Sequence, residues 1–228
     1  MDENKLGIDV QGYYAKYLDT VLKVIKAPAA FFQEMPKSGG LVEPLLFAVV
    51  MGVVAGLIQA VLGIVGIGMA GSFFMALASI IIVPIAVAVF GLIAAGVTFL
   101  IWKLLGSQES YEVSFRCLAY TAAITPITTI CNAIPYVGPL VGLVWMTYLL
   151  VTASTEVHHI QPKPAWIVFG AICALLALTS VSAEISARRM AKELDHLQQR
   201  MGQIDKMTPE EAGKMMGEFM KGMEKGKK

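Results

Sequence analysis

Three stretches of this chain contain no Asp, Glu, Lys or Arg: Pro44–Trp102, Cys117–Thr155 and Ala165–Ala183. A transmembrane helix needs about 20 apolar residues to cross roughly 30 Å of hydrocarbon, so runs of this length cannot be ordinary buried core helices. Composition agrees. Charged residues make up 15% of the 228 residues and hydrophobic ones 56%, where a soluble domain carries about 25% charged. The mean hydropathy is +0.66. The expected fold class is therefore all-α: a polytopic helical membrane protein of about five transmembrane helices, with an N-terminal interfacial helix and a C-terminal helical extension.

The chain divides by composition into an N-terminal amphipathic region (1–43), a transmembrane bundle (44–186) and a C-terminal extension with a Met- and Lys-rich tail (187–228). In the first region no apolar core with a small-residue cleavage site marks a signal peptide. Tyr14, Tyr17, Leu18, Val21, Leu22 and Ile25 follow helical spacing, with Lys16, Asp19, Lys23 and Lys26 on the other side. Such a helix either lies in the membrane interface, with Tyr13, Tyr14 and Tyr17 at headgroup depth, or packs on the cytoplasmic ends of the spans. Phe31 and Phe32, bracketed by Pro28 and Pro36, are expected to wedge into the interface.

Pro44–Trp102 holds two spans, with a natural break in the glycine-rich Gly63–Ser72. Pro84 makes the second a kinked helix or a short interfacial piece followed by a span. Cys117–Thr155 must hold two more, and Asn132, Pro135, Gly138 and Pro139 mark their hairpin turn. Broken backbone is tolerated there only if it reaches water or is buried in protein. A fifth span runs from about Trp166 to Ser186. Lys103, Arg116 and Lys163 in one set of loops, against uncharged turns on the other side, place the N-terminus in the cytoplasm, by the rule that cytoplasmic loops are rich in Lys and Arg. Five spans would then export a tail that opens with Arg188, Arg189 and Lys192. A sixth crossing or a re-entrant piece near Phe73–Val83 would remove that conflict; five spans are preferred.

Beyond the fifth span, Met190, Leu194, Leu197, Met201 and Ile204 recur at heptad spacing. They form a seam that would join protomers or dock on the loops. Gly52–Gly56 and Gly138–Gly142 are small-xxx-small pairs for close helix packing, within the bundle in preference to between protomers.

The sequence resembles the Yip family, small multi-pass proteins of the Ypt/Rab-interacting type, in a form like its bacterial members. The resemblance rests on Pro28, Phe31 and Phe32; on Leu105-Gly106, Val113-Ser114-Phe115, Ala119-Tyr120 and Pro126; and on Ile134-Pro135, Gly138 and Trp145. It covers roughly Lys26 to Ala183. It implies five spans and a cytoplasmic N-terminus and, for eukaryotic members, trafficking with small GTPases and the shaping of membranes. This chain departs in its short N-terminal region and its charged C-terminal extension. Both departures tell against a small GTPase partner.

No catalytic set stands out, and no cofactor is expected. Glu156, His158 and His159 form the one cluster with ligand chemistry, but adjacent histidines diverge on a helix and a zinc site would need a further ligand. A solvated loop is the preferred reading, with no metal. Cys117, Cys131 and Cys173 lie in apolar runs without CxxC spacing and read as small core residues. A net charge of +1 gives no reason to expect nucleic acid. Within the membrane, Gln59, Thr121, Thr125 and Thr128, with Tyr120, could line a polar cleft, although hydrogen bonding between helices is the commoner use of such residues. The expected function is non-enzymatic: membrane shaping or scaffolding by a lipid-contacting homo-oligomer in the bacterial cytoplasmic membrane. Its rival is passive transport or lipid movement through the polar cleft.

Overall fold

The computed structural model describes residues 10–66 and 73–204. Its helices are α1 (Val10–Lys26), α2 (Pro28–Glu34), α3 (Val42–Ile64), α4 (Phe73–Leu104), α5 (Tyr111–Thr121), α6 (Thr125–Cys131), α7 (Val137–Glu156) and α8 (Pro162–Ile204). No strand occurs among the described residues. Four helical stretches are long and apolar enough to cross a membrane: α3, Leu77–Leu104 of α4, α7, and Pro162–Leu194 of α8. With α5 and α6 in series, the spans number about five. The expected second span is one helix from Phe73 to Leu104 with Pro84 inside it, so Phe73–Val83 is neither a re-entrant piece nor an extra crossing. Compact units divide the chain at Thr179/Ser180.

In the first unit α5 is the central element, with every residue from Val113 to Thr121 buried. Its start is set by Ser110, whose side chain accepts from the Val113 N–H at 3.4 Å, a conventional N-cap. Its end is set by Pro126. That residue has no N–H to offer, and its ring collides with the carbonyl four residues back, which is Ala122. The chain tightens into a 3₁₀ turn over Ala122–Ile124 and restarts as α6, with Pro126 in its first turn. Short 3₁₀ pieces are the usual way to absorb such a break.

α3 and α4 form the most extensive helix pair, and glycine is what permits it. A Cβ added at Gly52 would lie 2.9 Å from the Pro84 Cα, and one at Gly56 would lie 2.7 Å from the Ser79 carbonyl oxygen. Ser79 Oγ donates to the Gly56 carbonyl at 3.0 Å and ties the two backbones together. The α6–α7 hairpin turns over residues 132–136. At Gly138 a Cβ would sit 2.1 Å from the Cys131 carbonyl oxygen, so only glycine allows this approach. Gly142 is looser, with Thr128 at 3.5 Å.

Much of the apolar surface faces outward: Ile81, Ile85, Phe90, Ile93 and Val97 of α4 and Ile167, Leu175 and Leu178 of α8 are all exposed. That is the expected surface of a bundle solvated by lipid. In the second unit, Arg188 pairs with Glu184 at 2.9 Å, and Met190, Leu194 and Leu197 are exposed. The side chains of Met201 and Ile204 and the tail from 205 onward lie outside the described residues, as do the side chains of Tyr13 and Tyr14 and residues 67–72.

Candidate functional site: a polar latch at one end of the bundle

The described polar side chains that bond across elements concentrate at the end of the bundle shared by α1, α2, the α4–α5 loop and the C-terminus of α7. At its centre the Trp102 indole N–H donates to Ser154 Oγ at 2.7 Å, and Ser154 Oγ donates to the Leu150 carbonyl at 2.6 Å. The Trp102 ring stacks on His158, with centroids 4.0 Å apart. His158 Nδ1 shares a 2.7 Å hydrogen bond with Ser107 Oγ, and its Nε2 lies 3.9 Å from Cys117 Sγ. His158 is only 5% exposed. Burial lowers its pKa to about 4; Glu109 opposes this, while Lys37, His159 and Lys103 reinforce it. The imidazole is therefore neutral at pH 7 and acts as a hydrogen-bonding wedge between α4, α5 and α7.

Arg116 forms the second half. It is completely buried, since α5 runs through the bundle and cannot lift the side chain to water. Its Nη2 donates to the Gly40 carbonyl at 2.9 Å, its Nε lies 3.4 Å from Glu112 Oε1, and the Gly40 N–H donates to that same oxygen at 2.7 Å. Gly39 has φ +121°, and a Cβ there would come within 2.9 Å of Arg116 Nη2. The loop before α3 is thus folded over a buried guanidinium. Arg116 Nη1 is buried and makes no hydrogen bond among the described residues, so the cost of hiding the charge is incompletely offset. Outside this pair, Lys37 bridges to Glu109 at 2.7 Å, Gln33 donates to Glu156 at 2.6 Å, and Lys16 meets Glu43 at 2.5 Å.

Several expected site residues fall elsewhere. Phe31 and Phe32 are not interfacial wedges. Phe32 is buried, and Phe31 packs edge-on against both Phe32 and Tyr120, at 5.4 and 5.2 Å. α2 docks on α7, so these rings find protein before lipid. Tyr17 stacks on Phe47 at 5.6 Å, which puts one face of α1 on the bundle. The polar cleft is corrected as well. Thr121, Thr125 and Thr128 do line one cavity, but Gln59 is exposed and Tyr120 belongs to the aromatic group beside α1. Thr121 Oγ1 donates to the Leu118 carbonyl at 2.5 Å, and Thr128 Oγ1 to the Thr125 carbonyl at 3.1 Å. With these two hydroxyls turned back on their own helix, the cavity is lined mainly by apolar atoms.

Glu156, His158 and His159 do not converge. His158 points inward, His159 is exposed with φ +52°, and Glu156 is held by Gln33. No group of three metal-ligating side chains occurs among the described residues. Trp102, Ser107 and Ser154 were not singled out by sequence. The available signal was Arg116 with Glu112 four residues before it, a charged pair at the edge of an apolar run.

The family description "Yip1 domain" matches residues 22–183. No curated protein and no solved structure matches the chain. The match extends from the second half of α1 to beyond the 179/180 division and takes in the Trp102–His158 and Arg116–Glu112 halves of the polar latch. The chain belongs to the Yip family of multi-pass integral membrane proteins.

Proposed function

We propose that this protein organises or shapes membrane without catalysing a reaction. It would sit in the bacterial cytoplasmic membrane with the α1 end in the cytoplasm and work as a homo-oligomer. The observation that carries this reading is how α1 divides its apolar arc. Val24 is fully buried, and Tyr17, Val21 and Ile25 pack against the core, while Leu18 and Leu22, one turn apart, remain 63% and 48% exposed. Beside them Lys26 is exposed, as are Lys16 and Lys23, which pair with Glu43 and with Asp19. An apolar pair rimmed by lysines suits an acyl–headgroup boundary carrying anionic lipid. α1 is held there by the bundle and is not free to roll away.

The orientation is supported by charge. Lys37, Lys103, Arg116 and Lys163 all belong to the α1 end, while the turns at Val65–Gly66 and 132–136 carry no charge, which matches a cytoplasmic α1 end. The exposed Met190, Leu194 and Leu197 support assembly through a heptad seam. Nothing in this reading needs a small GTPase or nucleic acid.

The deciding experiment reconstitutes wild type and Leu18→Asp/Leu22→Asp in anionic vesicles at equal protein density. Wild type is expected to tubulate or narrow the vesicles in electron micrographs, and the double variant to insert normally and lose the effect. Wild-type vesicles indistinguishable from empty ones would sink the shaping claim. Leu194→Asp/Leu197→Asp tests assembly separately, by light scattering in detergent. A wild type that is already monomeric removes that part of the reading.

A further inference from the structure

The corrected cleft is a defined apolar groove, and we propose that it is a binding site for one hydrocarbon chain of a membrane lipid. α4 and α7 both pack on the α5–α6 segment and scarcely touch each other. Between them a cavity of about 350 Å³ remains. Ala88, Gly91 and Ala94 of α4 form one wall and Gly142 and Met146 of α7 the other, with Leu118 and Ala122 in the floor. Small residues make the space: a Cβ at Gly91 would meet nothing within 4 Å, so the groove is open at that point.

Three observations select the occupant. First, the walls belong to membrane-spanning helices, so the surrounding medium is hydrocarbon and the groove opens toward it. Second, the volume excludes a helix. A helix with side chains is about 10 Å across, so a 10 Å length displaces roughly 800 Å³, over twice what is present. At the roughly 30 Å³ of a water-sized group, the cavity holds about a dozen groups in file, which suits part of a polymethylene chain. Third, the Thr121 and Thr128 hydroxyls are spent on their own backbone, which leaves Thr125 as the one lining threonine without such a bond and the lining predominantly apolar. An unfilled groove would forfeit dispersion contacts along its lining, whereas a chain lying in it completes the packing of α5 against α4 and α7.

The test uses full-length protein in nanodiscs whose phospholipid carries a photoactivatable diazirine in mid-chain, with adducts mapped by mass spectrometry. In wild type, adducts at Ala94, Ala122 and Met146 should exceed those at Ile85 and Ile93, which face bulk lipid. Gly91→Leu fills the groove from a position with room for it. Groove adducts should then drop below those at Ile85, while adducts at Ile85 stay unchanged. If that variant fails to fold, Ala88→Leu makes the same demand, and the wild-type adduct ratio stands by itself. The proposal is overturned by wild-type groove adducts no more frequent than those at Ile85, by adducts indifferent to a folded groove-filling variant, or, with a photoreactive amino acid placed at Ala94 in unlabelled lipid, by protein–protein crosslinks that put a second copy in the groove.

Discussion

Acid should loosen the polar latch through one residue. His158 is kept neutral by burial, with its pKa at about 4 against an ordinary 6.5. In the unfolded chain the imidazole is hydrated and titrates near 6.5. Between these values the unfolded state binds the extra proton, so stability rises with pH across the window. The contribution is fully present above 6.5 and is lost as pH falls toward 4. At 1.36 kcal/mol per pH unit, the interval is worth about 3 kcal/mol. For a chain of this size that is a fall in Tm on the order of 10 °C. His158→Asn removes the titration while offering an amide near the position of Nδ1, which faces Ser107. The assay is thermal unfolding in detergent by tryptophan fluorescence at pH 7.5 and pH 4, for wild type, His158→Asn and the exposed-site control His159→Asn. Taking the difference between proteins cancels the carboxylates that titrate over the same range. Wild type and the control should lose stability together, and His158→Asn should lose less by about 3 kcal/mol. Equal losses in all three would refute the buried-imidazole argument.

Two further substitutions probe the packing. Gly138→Ala forces a Cβ against the Cys131 carbonyl, where it would be 2.1 Å away. It should cost about 3 kcal/mol or more and abolish monodisperse protein in detergent. Gly142→Ala, at ordinary contact distance from Thr128, should change Tm little. Arg116→Met removes the bond to Gly40 and leaves Glu112 with one partner fewer, a loss of about 2 kcal/mol. It should expose the loop around Gly39–Gly40 to limited proteolysis. Arg116→Lys should not rescue it, because a single ammonium lacks the fork that reaches both partners.

The membrane-spanning architecture was legible because charge-free runs leave few options, and the α6–α7 turn was legible because Pro135 and Gly138 have few other uses inside such a run. What stayed hidden was direction. Lipid and protein interior are both apolar, so spacing could not tell whether Phe31 and Phe32 face one or the other, and they face protein. Thr121 and Thr128 looked like polar lining because sequence counts hydroxyls without showing what they bond; both bond the preceding turn. His158 looked solvated beside Glu156 and His159 because its neighbours in sequence are polar. Its neighbours in space, Trp102 and Cys117, come from chain segments about 40 to 56 residues away.

The central position of α5 also bears on how this protein is made. A segment that carries Glu112 and a buried Arg116, and is broken at Ala122–Ile124 ahead of Pro126, is a poor candidate to partition into lipid unaided. At the centre of a span an Arg costs about 2.5 kcal/mol or more against insertion; Arg116 sits toward one end of the bundle, where the cost is smaller and of the same sign. Its partners at that end, the Gly39–Gly40 loop and α7, are synthesised on either side of it. The α5–α6 segment therefore depends for its place on the surfaces that α3, α4 and α7 supply, more than on its own affinity for lipid.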